Sequence, residues 1–461
     1  MRKLGLAVVL SLMCAPAHAV WEIEDVDQDG VGSYSSLKVD AEDRIHISYM
    51  AMNGGNLKYA LYDGLAWHTE MVDEEGLVGH FSSIDVDAFG DPHIAYVYYT
   101  GHNIRYARRQ GDAWTYEDIE TDEDVEYHIS MALDDSGQPH ICYHDDIYSG
   151  GAHDLKYARR DGDAWTTVQV DVTGNVGRGC SIALDSFGHP HIAYLDETNV
   201  TLKYAHFDGT QWHLATLDDL EYIGFNFRTA IAIDSADRIH IAYSAYHYRD
   251  PDWMGRLKYA TGDGSTWDIT IVDEALPTRD FRIPAIAMDA GDRPHISYML
   301  YYNVEAITPD MKYAHFDGEL WRTDFIDIGD MADSDNSNGI DIDRLSRVHV
   351  SYAENGMILK HASSQPVASL PEAVIPSHGF ALLPPPNPMT DGAAVRFRLP
   401  RDADISLEVF DVAGRHVTAL ARGHHPTGEH VASLPAGLSP GAYLCRLRAE
   451  GFRGSQKLIV P

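Results

Sequence analysis

Seven histidines recur at a fixed distance after an aspartate, a pairing that can bind metal or move protons. Each histidine begins a His-Ile-Ala/Ser tripeptide or a close variant, and the aspartate stands six residues before it. A metal site needs its ligands once, whereas this pair recurs in every copy, so we expect a buried structural pair at a hairpin turn. The pairs are Asp40–His46, Asp87–His93, Asp134–His140, Asp185–His191, Asp234–His240, Asp289–His295 and Asp343–His349.

Three arginines stand at nearly the same place in consecutive copies of this repeat and form a candidate anion site. Arg178 and Arg282 lie seven residues before the aspartate of their copy, and Arg228 lies six before. Because alternate residues of a strand face opposite sides, regular alternation would turn Arg228 away from the other two. An anion-binding pocket and a chance repetition therefore both remain open.

One tryptophan lies outside the repeat pattern, in an insertion of the fifth copy. An indole beside tyrosines and charges on a loop suits sugar stacking or protein recognition, and the alternative is that it packs its own loop. The insertion of the sixth copy is expected beside it. The candidate ligand-binding residues of the two insertions are Tyr246, His247, Trp253, Tyr301, Tyr302 and Glu305.

Asp25, Asp27 and Asp29 alternate before Gly30, as the first ligands of a calcium loop do. The terminal glutamate of such a loop is missing, since Ser36 stands there. A solvated acidic turn explains the same residues. Calcium is the one candidate cofactor.

The repeat also predicts the elements that carry these residues. Each copy has a second signature, Leu-Lys-Tyr-Ala or a variant, then a Gly turn and a Trp strand, and so contains four short antiparallel strands. Repeated units of four short antiparallel strands are typical of propeller blades. The seventh copy lacks its Trp strand, and Trp21 supplies one before the first copy. We predict an all-β, seven-bladed propeller over residues 20–364, closed by the N-terminal strand.

The turn Gly262-Asp263-Gly264-Ser265-Thr266-Trp267 resembles the Asp box of BNR-repeat, sialidase-like propellers, which implies the fold. Phe281-Arg282-Ile283-Pro284 is similar to the Phe-Arg-Ile-Pro motif of sialidases, whose arginine grips a substrate carboxylate. Sialidases have six blades and carry the motif in the first, whereas here it falls in the sixth of seven. A sialidase-like glycoside hydrolase is therefore kept as an alternative, and a catalytic residue is not assigned.

The chain begins with the pattern of a secretory signal peptide over residues 1–19. Arg2 and Lys3 precede an apolar run, and Ala17-His18-Ala19 supplies the small residues of a cleavage site before Val20. After removal of Cys14, three cysteines remain, Cys142, Cys180 and Cys445. So few cysteines predict that disulfides do not hold the exported protein together. No later apolar run is long enough to span a bilayer.

The last part of the chain differs in character. Seven prolines between residues 365 and 388 predict a linker over residues 365–383, followed by a small Ig-like β-sandwich over residues 384–461. Its motifs resemble the C-terminal sorting domain of the type IX secretion system: Pro386-Asn387-Pro388, Val395 to Pro400, Val409 to Arg415, Gly441-Ala442-Tyr443 and Lys457 to Val460. The resemblance implies outer-membrane secretion machinery as a partner, cleavage of the tail, and a secreted or surface-attached protein after periplasmic transit.

Charge narrows the function classes further. The formal net charge of −35 repels phosphate backbones, so we expect no nucleic-acid partner. The main expectation is a monomeric binding propeller at the cell surface with a glycan, another surface polymer or a protein as ligand. The alternatives are the sialidase-like hydrolase and a passive structural or adhesive surface protein.

Overall fold

The fold is known from a computed structural model of the chain. It describes residues 21–28, 30–119, 127–145, 153–162, 164–224, 227–249, 252–276, 279–302, 309–328, 338–354, 357–364, 381–383, 394–399, 401–411, 415–435, 438–439, 441–449 and 452–460. The signal peptide, most of the linker, Asp29 and Glu305 lie outside these ranges.

The described part of the chain is almost entirely β-strand. Strand β1 spans Trp21–Asp27, and six four-stranded units follow. Their strands are β2–β5 (Val31–Val39, Ile45–Ala51, Asn56–Tyr62, Trp67–Asp73), β6–β9 (His80–Val86, Pro92–Tyr98, Asn103–Gln110, Ala113–Ile119), β10–β13 (Tyr127–Leu133, Pro139–His144, Leu155–Asp161, Ala164–Asp171), β14–β17 (Val176–Leu184, Pro190–Asp196, Thr201–Phe207, Trp212–Asp219), β18–β21 (Thr229–Ile233, Ile239–Arg249, Asp252–Gly262, Trp267–Glu274) and β22–β25 (Arg279–Met288, Pro294–Tyr302, Asp310–Phe316, Trp321–Asp327). A short 3₁₀ helix, Tyr99–Gly101, interrupts the second unit.

The seventh unit combines both ends of the repeat region. Strands β26–β28 (Gly339–Ile342, Val348–Glu354, Ile358–Ser364) pair in order, and β1 adds as the fourth strand, with Trp21 opposite Ser364. We number the units 1 to 7 in chain order. Strand β1 therefore occupies the position of the Trp strand that the seventh copy lacks.

The repeated Asp–His pair is structural, as predicted. In unit 1, Asp40 Oδ1 accepts hydrogen bonds from the backbone N–H groups of Glu42 and Arg44 at 2.9 and 2.8 Å. Asp40 Oδ2 lies 3.1 Å from His46 Nε2, and His46 Nδ1 lies 2.7 Å from Tyr59 Oη. Units 2 to 6 repeat the Asp–His–Tyr chain. The pair thus fixes the first hairpin of each unit and satisfies its buried polar groups.

Each tryptophan of the Trp strands packs against the preceding unit. The ring of Trp114 in unit 2 meets that of Tyr59 in unit 1 edge-on, 5.5 Å between centroids. The contact recurs at 4.9 to 5.4 Å for Tyr106–Trp165, Tyr157–Trp212, Tyr204–Trp267, Tyr259–Trp321, Tyr313–Trp21 and, with a histidine, His361–Trp67. Trp21 is 1% exposed. Unit 6 therefore contacts unit 7 through Trp21, and unit 7 contacts unit 1 through Trp67.

A carboxylate also joins neighbouring units at six junctions within the described residues. Asp273, at the end of the Trp strand of unit 5, accepts a hydrogen bond from Tyr298 Oη of unit 6 at 2.7 Å and is ion-paired with Lys312. Aspartate–tyrosine bonds of 2.6 to 3.1 Å recur in Asp27–Tyr49, Asp73–Tyr96, Asp171–Tyr194, Asp218–Tyr243 and Asp327–Tyr352. The tyrosines are buried, as expected of core residues.

The tail forms two sheets around its own core. Strands β29–β35 span Ala381–Leu383, Ala394–Leu399, Ala403–Asp411, His416–His425, Gly428–Ser433, Gly441–Ala449 and Phe452–Val460. One sheet has the order β29-β30-β33, and the other the order β35-β34-β31-β32. Val395, Phe397, Leu407 and Leu447 are among the buried side chains between them.

The tail also extends the sheet of unit 7. Strand β35 pairs with the free edge of β1, with Ser455 opposite Trp21 and Arg453 opposite Ile23. The Arg446 guanidinium donates a hydrogen bond to the carbonyl of Ile328 in the repeat region. The edge of β1 is therefore covered along these three residues.

Candidate functional site

The longest hairpin of the described repeat region belongs to unit 5. Strands β19 and β20 each contain 11 residues, and their last pair is Arg249 opposite Asp252. The second strand of unit 1 has only seven residues. The extra length continues the ladder outward and places Trp253 opposite Tyr248. The predicted insertion is therefore an extended hairpin arm.

Three exposed aromatic rings gather on this arm, and we call them the aromatic platform: Tyr222, Tyr248 and Trp253. They are 53%, 45% and 42% exposed, respectively. The ring of Trp253 lies 5.1 Å from that of Tyr248 and 5.8 Å from that of Tyr222. Such exposure is unusual for adjacent aromatic side chains, which normally bury most of their surface.

Buried groups support the platform from below. The ring of Tyr246 lies 6.0 Å from that of Trp253 and stacks on the fully buried Phe227 at 4.8 Å. The backbone N–H of Tyr248 donates to Glu221 at 2.8 Å, and the His247 ring lies 2.6 Å from the same carboxylate. These hydrogen bonds lower the pKa of Glu221. The platform is thus held in one arrangement and has an acidic border.

Arg282 reaches the same region through a buried carboxylate. Tyr246 Oη donates to Asp280, which is fully buried, and Arg282 Nε lies 3.0 Å from the same Asp280 oxygen. The Arg282 guanidinium also stacks over the ring of Tyr301, 4.1 Å from its centroid. Burial lowers the pKa of Arg282, but Asp280 outweighs it, so the pKa is raised and the guanidinium stays charged. Tyr246 therefore links Trp253 on one side to Asp280, Arg282 and Tyr301 on the other.

The remaining candidate residues of the two insertions have separate partners. Tyr302 Oη donates to Asp310, and the Arg279 guanidinium lies 4.7 Å from the centroid of the Tyr302 ring. Glu305 lies outside the described residues. Both of these partners of Tyr302 belong to unit 6.

Arg178 and Arg228 lie elsewhere. Arg178 forms an ion pair with Glu197, and the Arg228 guanidinium lies 5.3 Å from the centroid of the Phe81 ring. Arg228 lines a central cavity of about 200 Å³ between the first strands of the units. His128 borders the same cavity, and burial lowers its pKa, as do Arg228 and Arg178.

Irregular strands explain why simple alternation does not decide where the three arginines point. The register of β14 shifts after Arg178, and that of β22 shifts after Arg282. The next residues, Gly179 and Ile283, have positive φ angles of 61° and 54°. Such bulges turn the following side chains, so residue parity is lost across them. Arg228 precedes β18 altogether.

The candidate calcium ligands contact protein groups. Asp27 accepts hydrogen bonds from Tyr49 Oη at 2.6 Å and from Lys58. Asp25 is ion-paired with Lys360 and lies 3.1 Å from the Gln28 side-chain nitrogen. Within the described residues, which exclude Asp29, the structure contains no group of three or more His, Cys, Asp or Glu side chains that could hold a metal ion. Calcium binding stays a prediction.

Four residues of the site escaped the sequence analysis: Glu221, Tyr222, Phe227 and Asp280. The first three lie between the fourth unit and β18, where the repeat has no fixed pattern. Asp280 directly precedes the Phe-Arg-Ile-Pro motif, so its position in the sequence makes it a candidate partner for Arg282. A buried arginine needs such a counter-charge, which is the signal that could have identified it.

Comparison of the sequence with curated proteins finds no match. Among solved structures, the fold is similar to a protein of unknown function from Dyadobacter fermentans (TM-score 0.42, 12% identity, covering 61% of this chain and 94% of that one). It is also similar to PorZ, a surface component of the type-IX secretion system of Porphyromonas gingivalis (TM-score 0.41, 11% identity, covering 92% of this chain and 59% of that one). A third similar structure is the SapL1 lectin in complex with alpha methyl fucoside (TM-score 0.44, 13% identity, covering 64% of this chain and 97% of that one).

The end of the chain matches a known family. Residues 386–461 match the secretion system C-terminal sorting domain, the region in which the sequence motifs were found. Within the described residues, no helix is long and apolar enough to cross a membrane. The chain therefore carries a type IX C-terminal sorting domain, and the protein is exported to the cell surface or the medium.

Proposed function

We propose that the seven units are the blades of one closed propeller, displayed outside the cell as a binding module. Closure is supported by the contacts between aromatic side chains that join unit 7 to both neighbours, Tyr313–Trp21 and His361–Trp67. It is supported further by Asp341 of unit 7, which accepts the Val39 N–H of unit 1 at 2.9 Å. The pairing of β1 with β28 also covers a sheet edge that would otherwise promote aggregation.

We propose that the aromatic platform binds a glycan of the surrounding surface. The carrying observation is the cluster of Tyr222, Tyr248 and Trp253, each 42% or more exposed although the Trp253 ring contacts both tyrosine rings. Flat rings offer apolar faces to the C–H groups of sugars, and the rigid support beneath them lowers the entropy lost on binding.

Charge indicates which glycans fit. The protein carries a net charge of −35, and Glu221 borders the platform. Both disfavour polyanionic polymers through long-range repulsion. Asp280 is already paired with Arg282, so that guanidinium is not an open carboxylate receptor. We therefore propose a neutral glycan as the ligand.

The test is an array screen of the exported protein against glycans, with and without calcium, followed by titration of the Trp253→Ala variant. We expect Trp253→Ala to weaken binding by about 1–3 kcal/mol and to leave the Tm nearly unchanged, because the indole is partly exposed and lies on an arm at the end of the sheet. Phe89→Ala is the matched control, since Phe89 is 87% exposed on a turn of unit 2. It should change neither quantity.

Other outcomes distinguish the alternatives. Unchanged glycan affinity with a lowered Tm would show that Trp253 packs its own loop and that the site lies elsewhere. Release of sialic acid from reporter substrates, abolished by Arg282→Ala, would replace the proposal with the sialidase-like hydrolase. Binding to no glycan at all would favour a structural or adhesive protein.

A further inference from the structure

Two of the three cysteines expected in the exported chain meet at the junction between units 3 and 4. Cys142 lies in β11 and Cys180 in β14, and they are 0% and 6% exposed. Both belong to one buried apolar cluster. The Cys180 thiol donates a hydrogen bond to the backbone carbonyl of His128 at 3.5 Å. Residues 38 positions apart therefore pack in one cluster across two units.

The repeat shows that this contact belongs to a recurring position. Cys142 stands two residues after the repeated histidine of unit 3, and Cys180 stands five residues before the repeated aspartate of unit 4. At the junction of units 1 and 2, the same two positions hold Ser48 and Ser82, with 2.9 Å between their Oγ atoms. At the junction of units 7 and 1 they hold Ser351 and Ser35, at 3.2 Å.

Other junctions use the same pair of positions. Thr229 Oγ1 of unit 5 donates to the carbonyl of Ala193 in unit 4 at 2.9 Å. Ala95 and Ile129 share one apolar cluster at the junction of units 2 and 3. The fold thus brings these two positions together around the ring. The junction of units 3 and 4 holds cysteine at both of them.

We propose that the exported protein contains a Cys142–Cys180 disulfide that joins units 3 and 4. A C–S bond is longer than a C–O bond. Where two serine Oγ atoms lie about 3 Å apart, two cysteine Sγ atoms therefore lie closer together, nearer to the S–S bond length of about 2.05 Å. Export takes the chain out of the reducing cytosol into compartments where disulfides form and persist.

The chemistry is a dithiol–disulfide exchange with an oxidising protein disulfide of the periplasm. One thiolate attacks the disulfide of the oxidant, and the second resolves the mixed disulfide. The Cys142–Cys180 bond forms, the disulfide of the oxidant becomes two thiols, and these take the two protons. Burial and the neighbouring Cys180 raise the pKa of the Cys142 thiol in the folded protein. The exchange therefore takes place before units 3 and 4 close over the pair.

Peptide mapping of the exported protein tests this. The protein is purified without reductant and unfolded in guanidinium with an alkylating agent present, which blocks exchange. We expect Cys142 and Cys180 to escape alkylation and to appear as one cross-linked peptide pair. Reduction before alkylation should label both. Cys445, buried alone in the tail, should be alkylated in any full-length chain without reduction.

The double variant Cys142→Ser/Cys180→Ser is the matched control, because it recreates the serine pair found at two other junctions. Reductant should lower the Tm of the wild-type protein by several degrees and leave that of the double variant unchanged. Alkylation of both cysteines in the unreduced exported protein, or a wild-type Tm insensitive to reductant, would overturn the proposal.

Discussion

At the scale of single residues, the carboxylates at the unit junctions combine burial with charge. The side chains of Asp273 and Lys312 are 17% and 10% exposed, and Tyr298 completes the group. Removing one partner of such a pair leaves the other charge buried without compensation, which costs more than the intact pair contributes. These side chains therefore tie stability to the contacts between units.

Asp273→Asn should lower the free energy of unfolding by about 3 kcal/mol, because Lys312 then lacks its counter-charge. Denaturant unfolding measures the change. The adjacent Glu274 provides the control, since its ion pair with Arg256 is exposed and Glu274→Gln should cost less than about 1 kcal/mol. Equal effects of the two variants would contradict a structural role for the buried group.

The aromatic platform is the residue-scale feature on which the proposed function depends. Its rings come from a loop and from both strands of the unit 5 arm. Other exposed large apolar side chains of the described residues, such as Leu65 and Phe89, lie on turns or bends elsewhere in the chain. Scattered apolar residues are ordinary on a protein surface, whereas a cluster indicates a binding site.

At the scale of elements, β1 joins the start of the repeat region to its end. It pairs with β28 over most of its length and buries Trp21 and Ile23 against the seventh and sixth units. A terminal strand that was merely frayed would contribute little. This strand instead fills the position that the other six units fill with their own Trp strand.

Deletion of residues 20–30 should therefore lower stability by several kcal/mol, since loss of a buried tryptophan alone costs about 3–5 kcal/mol. The deletion also exposes the edge of β28 and should promote association. Thermal melting and light scattering measure the two effects. An unchanged melting midpoint would mean that the repeat region closes in another way.

At the scale of the whole molecule, buried histidines repeat around the units and couple stability to pH. Burial lowers the pKa of His93, His140, His191 and His240, and it lowers that of His315 to about 4. Unfolded histidines titrate near 6.5. Between these values the unfolded chain binds more protons than the folded one, so acid favours unfolding.

The Tm should consequently stay high above about pH 6.5 and fall progressively as the pH is lowered toward 4. The variant His315→Gln removes one of these groups and should make that decline shallower. Calorimetry across the range measures both. A constant Tm from pH 7 to 4 would show that the histidines carry no net linkage.

Proteolytic processing should remove both ends of the chain during export. The sorting domain and the signal pattern predict that the extracellular protein starts at Val20 and lacks most of residues 384–461. Mass spectrometry of exported material measures both ends. An intact tail on exported protein, or unaffected export after deletion of the tail, would contradict this route.

The sequence was sufficient to predict the strands of each unit, the Asp–His pair, the place of Trp21 and the sorting domain. These depend on patterns that repeat along the chain, and strand pairing within a unit joins residues close in sequence. A missing Trp strand at one end and an extra one at the other were sufficient to predict the pairing of β1 with β28.

Which side chains of different units meet depends on the tertiary structure. Tyr222 meets Trp253 through a connection without a sequence pattern, and Tyr246 of unit 5 donates a hydrogen bond to Asp280 of unit 6. The packing of Cys142 and Cys180 in one cluster, and the pairing of β35 with β1, likewise depend on how whole units pack. Local spacing fixes register within a sheet, whereas contacts between sheets depend on loop paths and on the packing of the units, which residue periodicity does not specify.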